Sequence, residues 1–465
     1  MINKPLHIVI LAAGKGSRMR SSLPKVLHKV AGKSLLAHVI DTALLLNPVQ
    51  VHVVVGHGKE LVIDAFESHP QKALLTWVEQ TKQLGTGHAV AQAIPNIGDN
   101  ASVLMLTADV PLIKADTLLA MVESMASSAL ALLTAVVENP FGLGRILRDD
   151  TNAVIGIIEE KDASDSIRQV REINSGIICA HKDALLEWLN KVDNDNAQEE
   201  YYLTDVVGLA HASGASIATM QPQDNNEING INSRSQLALV ERLYQLEQAE
   251  SLMASGVTII DPARFDMRGD VIIGEDCIID VNVVIEGPTT IGRNVKIGPN
   301  CVIQGSQIGD GATIYANTVI ENSILGADVL IGPFARLRPG SNLADKVKIG
   351  NFVETKNAQL SEGVKVNHLS YVGDASVGKN TNIGAGVITC NYDGANKHKT
   401  TIGKDVFVGS DSQLVAPGEV HDGATIGAGS TITAKVEANK LAISRGKQRQ
   451  IDGWKRPTKA PKTNN

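Results

Sequence analysis

Between residues 271 and 337, a branched apolar residue recurs at every sixth position, and the interval shortens to five in two places. The series is Ile273, Ile279, Ile285, Ile291, Ile297, Ile303, Ile308, Ile314, Ile320, Leu325, Ile331 and Leu337. Because six residues of α-helix turn by about 600°, such side chains would scatter around a helix, whereas in extended chain they all point to one side. The pattern predicts a coil of short strands, a β-solenoid of hexapeptide repeats. An ordinary sandwich is disfavoured because its strands vary in length.

Less regular hexads continue to Ile432, and about ten coils fit into residues 256–445. We predict two excursions from the coil, one at Arg336–Gly340 and one at Cys390–Lys397. The second is too rich in Asn and Gly to form a side of the coil. Excursions from a solenoid map to one binding face. His368 lies between them, and on local pattern alone such a histidine is more often a surface residue or one whose hydrogen bonds are satisfied within the fold.

The composition limits the class of protein. A chain of 465 residues holds two or three domains, and its formal net charge of −7 gives no reason to expect nucleic acid binding. Aromatic residues make up 3% of the chain, which suits a narrow solenoid filled by Ile and Val. The four cysteines are far apart and form no C-x-x-C pair, which indicates reduced thiols. With no signal peptide and no apolar run approaching 18 residues, a soluble cytoplasmic protein is expected.

A glycine-rich turn follows the first apolar strand. The run His7–Leu11 passes into Ala12–Met19, whose small residues let the backbone approach a phosphate. The spacing is neither G-x-G-x-x-G nor a Walker A, which disfavours dinucleotide and P-loop sites. Lys25, one short loop further on, would place a fixed cation beside the turn, so a polyphosphate ligand is predicted. The alternative is that Arg18 and Lys25 are solvated surface residues.

The following segment alternates strands and helices. Strands are predicted at Val51–Val55 and Val103–Thr107, and helices at Leu35–Leu46 and Gly87–Ala93, which indicates an α/β domain with a largely parallel sheet. Ligands of such sheets bind at the carboxyl ends of the strands. Asp109 lies there, where it suits either a metal ion or a turn cap.

A long amphipathic helix is predicted at Ser235–Ala254, where Leu237, Val240, Leu243 and Leu246 stand at helical spacing without Pro or Gly. We expect this helix to join the two halves of the chain, with its apolar stripe used for packing.

Several motifs together resemble one enzyme family. The motif L-A-A-G-K-G-S-R-M followed by L-P-K resembles the signature of sugar-nucleotide pyrophosphorylases. The motifs Q-L-G-T-G-H-A, E-E-K-D-A (Glu159–Ala163) and E-I-N-S-G (Glu172–Gly176) narrow the resemblance. They resemble the bacterial bifunctional enzymes that are both N-acetylglucosamine-1-phosphate uridyltransferase and glucosamine-1-phosphate N-acetyltransferase. The resemblance covers nearly the whole chain.

The resemblance implies an architecture. Residues 1–230 would form an α/β Rossmann-like nucleotidyltransferase domain, residues 231–255 a linking helix, and residues 256–465 a left-handed parallel β-helix with a C-terminal tail. A homotrimer with sites at subunit borders is implied as well, and a cyclic trimer is an ordinary closed symmetry.

The resemblance also assigns roles in uridyl transfer from UTP. The UDP-N-acetylglucosamine site would comprise Leu11, Ala12, Ala13, Gly14, Lys25, Gln80, Gly85, Thr86, Thr107, Ala108, Asp109, Gly144, Glu159, Asn174 and Asn232. Of these, Leu11 to Gly14, Gln80, Gly85 and Thr86 would hold the uridine nucleotide, and Gly144, Glu159 and Asn174 would hold the sugar. Asp109 and Asn232 would bind Mg²⁺, and Lys25, together with Arg18 from outside this set, would neutralise phosphate charge. Thr107 departs from the family pattern, which commonly has an aromatic residue there, and we expect this to affect local packing around the nucleotide.

In the coil, the resemblance makes His368 the base for acetyl transfer. The sugar phosphate would contact Arg338, Lys356, Tyr371, Asn382, Asn391 and Tyr392, and acetyl-CoA would contact Ala385, Ser410, Ala428 and Arg445. An amine must lose a proton as it attacks a thioester, and an imidazole suits that role near neutral pH. The product, UDP-N-acetylglucosamine, would feed peptidoglycan and lipopolysaccharide synthesis.

The same sequence features disfavour two other functions. The chain as a single-activity pyrophosphorylase with a structural coil is disfavoured by His368, the N-Y-D-G segment and the pair Ser444–Arg445. A non-enzymatic assembly or exchange-factor subunit is disfavoured because a scaffold has no need of Arg18, Lys25 and Asp109 together.

Overall fold

The computed structural model describes residues 4–459, which fall into two compact units divided between Glu247 and Gln248. The division lies inside helix Arg234–Ala254, close to the helix predicted from residue 235. The domain limits at residues 230 and 255 remain predictions.

The first unit is a mixed sheet with helices packed against it. Its strands are β1 Leu6–Leu11, β2 Lys29–Val30, β3 Lys33–Ser34, β4 Gln50–Val55, β5 Leu75–Glu79, β6 Ser102–Thr107, β7 Leu130–Val136, β8 Arg145–Arg148, β9 Val154–Ile158, β10 Glu172–His181 and β11 Ile217–Met220. Its α-helices are α1 Leu35–Leu44, α2 Lys59–Asp64, α3 Thr86–Ala93, α4 Ala115–Ser124, α5 Asp165–Arg168, α6 Lys182–Leu189, α7 Asp205–Ala212 and α8 Arg234–Ala254. Short 3₁₀ turns occur at Ser17–Met19, Lys25–Leu27, Lys72–Leu74, Ile94–Asn96 and Asn225–Ile228.

The sheet order is β11-β7-β10-β6-β1-β4-β5, and the neighbours of β1 run parallel to it. The residues of β1 and β6 are buried on both faces, as expected of central strands in an α/β sheet. The carboxyl ends of β1 and β6 therefore lie side by side, with Leu11 paired to Thr107.

One strand departs from the parallel arrangement. β10 runs antiparallel to both β6 and β7, and it also pairs with the hairpin β8–β9. This insertion adds a second wall beside the carboxyl end of β6, and the alternation of strands and helices gave no indication of it.

The second unit is the predicted coil with three faces of parallel strands. Face 1 stacks Thr258–Ile259, Ile278–Ile279, Lys296–Ile297, Thr313–Ile314, Leu330–Ile331, Lys348–Asn351, Lys365–His368, Asn382–Ile383, Phe407–Val408, Thr425–Ile426 and Leu441–Ala442. Face 2 stacks Phe265–Arg268, Val283–Glu286, Val302–Gln304, Val319–Glu321, Arg336–Leu337, the start of Glu354–Leu360, the start of Tyr371–Val377, Ile388–Cys390, Gln413–Val415 and Thr431–Ile432. Face 3 stacks Val271–Ile273, Thr289–Ile291, Gln307–Ile308, Ile324–Leu325, Asn342–Leu343, the ends of Glu354–Leu360 and Tyr371–Val377, Thr400–Ile402 and Gly418–Val420. A 3₁₀ turn at Pro262–Arg264 precedes the first strand of face 2.

The hexad residues fill the interior of this coil. From Ile279 to Leu337 each residue of the series is at most 3% exposed, whereas Ile273 in the first coil is half-buried. Inward stacking of branched side chains therefore holds successive coils together, and the periodicity is confirmed as the cause of the fold.

The predicted excursion at Arg336–Gly340 is wrong. Arg336–Leu337 is an ordinary strand of face 2, and the buried Leu337 pairs with Ile320 and Thr355 of adjacent coils. The arginines point outward from a regular coil side, so their charge does not mark an insertion. The segment after Cys390 does leave the coil, with Tyr392 bridged to Lys397 before the chain returns at Thr400.

Within residues 4–459, no helix combines the length and apolar character needed to cross a membrane. All four cysteines in that range are free thiols, and three of them are buried.

A buried histidine pair predicts acid sensitivity in the first unit. His7 on β1 and His52 on β4 stack with ring centroids 5.3 Å apart, and Nδ1 of His7 lies 3.0 Å from Nε2 of His52. Burial, with the adjacent His7 adding to it, lowers the pKa of His52 to about 4 from 6.5. Since protonation is easier in the unfolded chain, stability is retained above pH 6.5 and falls as the pH drops from 6.5 towards 4.

We expect His52 to make the free energy of unfolding fall by about 2 kcal/mol between pH 7 and pH 5. Urea unfolding followed by tryptophan fluorescence measures it, because Trp77 and Trp188 lie in the first unit. A His52→Gln variant should lose most of this pH dependence. An unchanged pH dependence in that variant would show that other groups cause it.

Candidate functional sites

The glycine-rich turn after β1 lies directly against Lys25. Gly16 has φ +58°, and a Cβ built on it would lie 2.6 Å from Cβ of Lys25. A side chain at residue 16 would therefore displace the lysine. The turn leads into the 3₁₀ turn Ser17–Met19, and Pro24 sets the start of the next one at Lys25.

Three polar side chains from distant parts of the first unit converge at the carboxyl end of β6. Nζ of Lys25 donates to Oδ2 of Asp109 at 2.5 Å and to Oδ1 of Asn232 at 3.0 Å. The carboxylate and the amide oxygen thus face one point at which a cation already lies. Hard oxygen donors of this kind suit Mg²⁺, so the donor set fits the ion.

Residues 4–459 contain no cluster of three or more His, Cys, Asp or Glu side chains that could hold a metal. Asp109 and Asn232 would each offer one side-chain oxygen to the ion, and Mg²⁺ commonly takes further ligands from substrate phosphates and water.

A cavity of about 480 Å³ opens over the turn and the carboxyl ends of β1 and β6. Its lining comprises Leu11, Ala12, Ala13, Gly14, Lys15, Gly16, Ser17, Lys25, Val26, Gln80, Gln83, Gly85, Thr86, Ala89, Thr107, Ala108, Asp109 and Glu200. Every residue expected to hold the uridine nucleotide is among them. We call this the nucleotide cavity.

A second cavity, of about 800 Å³, adjoins it and shares Thr107 and Asp109 with it. The expected sugar residues Gly144, Glu159 and Asn174 line this cavity, together with Arg18 and Asn232. We call it the sugar-side cavity. The charged point at Asp109 therefore stands where the two cavities meet.

Gln80 and Gly85 shape the wall of the nucleotide cavity. Nε2 of the buried Gln80 donates to the carbonyl of Gly85 at 3.1 Å and lies 2.9 Å from Nδ1 of His88. Gly85 has φ +116°, and a Cβ there would lie 2.5 Å from the carbonyl oxygen of Tyr201. Only glycine fits this position, so the G-T-G segment keeps the start of α3 pressed against the chain at residue 201.

Glu159 stands close to the backbone of Gly144. Burial raises the pKa of Glu159, while the hydroxyl of Thr204, which donates to Oε1 at 3.1 Å, acts in the opposite direction. A Cβ on Gly144 would lie 3.0 Å from Ile157 and 3.3 Å from the Glu159 carboxylate, so a glycine leaves the carboxylate accessible. Thr107 stands where the family commonly has an aromatic residue. Its side chain is small, and its hydroxyl is buried and has no partner among the described residues.

In the coil, His368 begins a column of equivalent positions on successive coils. Val366, Ile383, Val408, Ile426 and Ala442 pair in register along face 1. The residues two positions further on are His368, Ala385, Ser410, Ala428 and Ser444. Backbone hydrogen bonds join successive members of the column. The N–H groups of Gly386, Asp411 and Gly429 donate to the carbonyls of His368, Ala385 and Ser410, respectively.

This column contains three of the four expected acetyl-CoA positions, Ala385, Ser410 and Ala428, and the fourth, Arg445, directly follows its last member, Ser444. Nη1 of Arg445 donates to the carbonyl of Ala428 at 2.7 Å, so the arginine lies at the far end from His368. At ~4.8 Å per coil, four steps separate the ends by roughly 19 Å. Small side chains between an imidazole and a guanidinium form a shallow track that suits an extended thioester carrier with anionic groups at one end.

A residue of the preceding turn of the coil holds the imidazole of His368. Nδ1 lies 2.7 Å from Oδ1 of Asn351, its register partner. Because that amide oxygen can only accept, Nδ1 carries the hydrogen and Nε2 keeps a free lone pair. The arrangement leaves His368, which is exposed, able to accept a proton at Nε2.

Cations gather on face 2 beside this corner. The adjacent ammonium of Lys397 lowers the pKa of Lys356, and Arg338 adds to the effect. Arg338 is held by Glu354, with Nη1 2.8 Å from Oε1. Like charges so close together indicate an anion site, because they repel one another in the absence of an anion.

The excursion after Cys390 carries further expected residues to the same face. Nδ2 of Asn391 donates to Asp374 at 2.5 Å and to the hydroxyl of Tyr371 at 3.4 Å. The hydroxyl of Tyr392, an exposed residue, donates to the carbonyl of Gly394. Asn382 lies on face 1, one coil beyond Lys365, and so on a different face from Tyr371.

Several site residues were not predicted from the sequence. They are Lys15, Gln83 and Glu200 in the nucleotide cavity, and Asn351, Glu354 and Lys397 in the coil. Lys15 lies in the motif L-A-A-G-K-G-S-R-M, Gln83 begins the motif Q-L-G-T-G-H-A, and Lys397 ends the second excursion, so their position in the chain pointed to them. Nothing local marks Glu200 or Asn351, which reach their sites only through the fold.

Comparison with known proteins places the chain. Residues 8–185 match the model of the MobA-like NTP transferase domain, residues 253–355 that of the EIF2B subunit epsilon LbH domain, and residues 399–434 that of the hexapeptide repeat of succinyl-transferase. The chain is 55% identical over 456 residues to the bifunctional protein GlmU of Marinobacter nauticus, a match that covers 98% of this chain and 100% of the relative. This chain belongs to the GlmU family.

Two further relatives agree. Bifunctional protein GlmU of Stutzerimonas stutzeri is 55% identical over 454 residues, covering 98% of this chain and 99% of the relative. That of Pseudomonas putida is 53% identical over 458 residues, covering 98% and 100%. As a GlmU-family member, the chain is a bifunctional uridyltransferase and acetyltransferase that makes UDP-N-acetylglucosamine, in agreement with the family resemblance, and the alternative of a single activity is set aside.

Proposed function

We propose that the two activities reside in the two sites just described. Uridyl transfer takes place where the nucleotide and sugar-side cavities meet, and acetyl transfer takes place at the corner of the coil around His368. The observation that carries the proposal is the convergence of Lys25, Asp109 and Asn232 on one point between the two cavities.

In the first site, UTP lies on the glycine-rich turn and N-acetylglucosamine-1-phosphate lies in the sugar-side cavity. A sugar-phosphate oxygen attacks the α-phosphorus of UTP, and pyrophosphate leaves. Such chemistry needs alignment and charge stabilisation more than a base. Mg²⁺ on Asp109 and Asn232 would supply a positive charge to the phosphates, and Lys25 and Arg18 add two more.

In the second site, acetyl-CoA extends along the column from Arg445 to His368, and the phosphate of glucosamine-1-phosphate binds Arg338, Lys356 and Lys397. The amine attacks the thioester carbonyl, and Nε2 of His368 takes the amine proton. The carbon–sulfur bond then breaks, and the departing CoA thiolate receives that proton from His368 and leaves as the thiol. The bond from His368 Nδ1 to Asn351 fixes the tautomer that this step needs.

We infer that the chain forms a homotrimer and that the second site is completed between the β-helices of two subunits. The expected ligands divide between two faces of one coil, with Asn382 on face 1 and Lys356 and Tyr371 on face 2. The β-helix of a neighbouring subunit, packed at this corner, would bring residues of both faces around one substrate. Light scattering on the full chain tests the trimer.

The free thiols and the nucleotide substrates support a cytoplasmic location.

A direct assay tests the proposed function. Glucosamine-1-phosphate, acetyl-CoA, UTP and Mg²⁺ are mixed with the full chain, and free thiol, pyrophosphate and UDP-N-acetylglucosamine are measured. We expect all three in equal amounts, with the thiol appearing first. Replacing Mg²⁺ with a chelator should stop pyrophosphate and leave thiol release unchanged. Loss of both signals with the chelator would contradict a metal role confined to the first site.

Lys397 provides a specific test of the anion site on face 2. We expect Lys397→Ala to raise the KM for glucosamine-1-phosphate by about tenfold, because one of three phosphate cations is lost. The KM for acetyl-CoA and uridyl transfer should stay unchanged. Lys379→Ala is the control, since it removes a lysine whose partner, Glu362, lies on another part of the coil. An unchanged KM in Lys397→Ala would exclude this lysine from the site.

A further inference from the structure

An ion pair between a buried arginine and a partly exposed glutamate holds one wall of the sugar-side cavity. The side chain of Arg145, on β8, is 1% exposed, and its Nη2 donates to Oε2 of Glu160 at 2.5 Å. The same guanidinium donates to the carbonyl of Leu143. Leu143 lines the sugar-side cavity, whereas Arg145 and Glu160 do not.

Glu160 holds the same loop at a second point. Its Oε2 accepts from the backbone N–H of Gly142 at 3.1 Å, and Arg168 approaches its other oxygen at 3.6 Å. The hydrogen bond from Arg145, with the N–H of Gly142 next, lowers the pKa of Glu160, so the carboxylate is charged at neutral pH. The N–H of Gly142 and the carbonyl of Leu143 are thus both bonded to one ion pair.

The N–H of Leu143 also donates to the carbonyl of Pro140, and the N–H of Phe141 donates to Oδ1 of Asn139, but both of these bonds are internal to the loop. Phe141, at its tip, is 78% exposed, and a Cβ on Gly142 would meet no atom within 4 Å. A further attachment is the carbonyl of Gly144, which accepts from the N–H of Asn174 at 2.9 Å. Gly144 and Asn174 are the residues proposed to contact the sugar, so the pair holds the loop directly next to them.

We propose that Arg145 and Glu160 are positioning residues for the sugar substrate, which set the affinity for N-acetylglucosamine-1-phosphate without touching it. The inference rests on the proposed function, which puts the sugar in this cavity. Ion pairs often add little net stability, because desolvation of a buried partner such as Arg145 offsets the attraction between the charges. Because such pairs often contribute little to stability, we infer that the function of this one is to hold the loop.

The same strand offers a matched control. Arg148 forms a two-point ion pair with Glu172, at 2.8 and 2.7 Å, and both side chains are largely buried. Arg148 lies three residues after Arg145, and it does not line the sugar-side cavity. Removing it therefore costs a comparable ion pair without releasing the loop.

The test uses the full chain and separates sugar from nucleotide binding. In Glu160→Ala we expect the dissociation constant of UDP-N-acetylglucosamine, measured by titration calorimetry, to rise about tenfold, because the contact residues lose their fixed position. The constant for UDP should stay unchanged. The KM for N-acetylglucosamine-1-phosphate should rise to the same extent, with kcat and the KM for UTP within about threefold of the wild type.

Two further variants complete the test. Glu160→Gln keeps an oxygen that accepts from Arg145 and Gly142, and it should restore most of the sugar affinity. Arg148→Ala should leave both dissociation constants unchanged. Should Glu160→Ala fail to fold, Arg145→Lys replaces it, since an ammonium cannot serve the Leu143 carbonyl and the carboxylate in the same geometry.

Unchanged sugar affinity in a folded Glu160→Ala variant would overturn the inference, and so would a parallel loss of UDP affinity. A wild-type chain that formed no UDP-N-acetylglucosamine would instead overturn the proposed function, so the two failures are distinct.

Discussion

Replacing Asp109 with alanine is expected to lower the rate of UDP-N-acetylglucosamine formation by about 10²–10³-fold or more, while acetyl transfer keeps its wild-type rate. The variant removes the carboxylate that faces Lys25 and the proposed Mg²⁺ position between the two cavities. The triphosphate charge is then neutralised less, and the sugar phosphate loses its alignment with the α-phosphorus. Pyrophosphate release from UTP and N-acetylglucosamine-1-phosphate measures the first activity, and thiol release measures the second.

The control for this experiment is Asp99→Ala. Asp99 forms an exposed ion pair with Lys182 in the same unit, so its loss removes a carboxylate without touching either cavity. Both activities should persist in it. Near-normal uridyl transfer by Asp109→Ala would remove Asp109 from the site, and the proposed metal position would be wrong.

Replacing His368 with alanine is expected to have the opposite selectivity. Loss of a general base typically costs about 10²–10⁴-fold, so acetyl transfer should fall by that factor while uridyl transfer is unchanged. The structural reason is the free lone pair at Nε2, which the bond from Nδ1 to Asn351 orients. Thiol release at saturating glucosamine-1-phosphate isolates the effect on kcat.

His421→Ala serves as the matched control, because His421 is an exposed histidine of the same coil that lies 3.5 Å from Glu419. Its acetyl transfer should equal that of the wild type. Equal loss of both activities in a folded His368→Ala variant would refute the division of the chemistry between two sites.

The coil could be predicted well from the sequence, because the residue pattern that produces it is local. A period of six in extended chain puts one residue per side inside, and the buried series from Ile279 to Leu337 follows from that alone. The charged segment Arg336–Gly340 misled the prediction, since outward side chains on a coil do not interrupt it. Outward positions carry no periodic constraint, and composition there says little about the path of the backbone.

The uridyl site was predictable in its parts but not in its assembly. The turn after β1 and the aspartate after β6 are marked by glycines and by strand ends. Their meeting with Asn232, 207 residues after Lys25, depends on the topology of the sheet. The antiparallel β10 and the hairpin β8–β9 form the sugar-side wall, and they were missed because short strands in an insertion follow no alternation.

The acetyl site shows the same limit more clearly. His368 and the excursion after Cys390 stand out in the sequence, yet the column through Ala385, Ser410 and Ala428 becomes visible only once the strands are stacked in register. Lys397 belongs to the anion site because the excursion folds back to Lys356, a contact between residues 41 positions apart in the chain.

The most direct test of two self-sufficient centres on one chain is complementation in solution. Asp109→Ala and His368→Ala are mixed, supplied with glucosamine-1-phosphate, acetyl-CoA, UTP and Mg²⁺, and UDP-N-acetylglucosamine is followed by chromatography. We predict that neither variant alone forms it at an appreciable rate, and that the mixture forms it after a lag in which free N-acetylglucosamine-1-phosphate accumulates. A mixture that stays inactive, although each variant keeps its own remaining half-reaction, would contradict independent centres linked by a released intermediate.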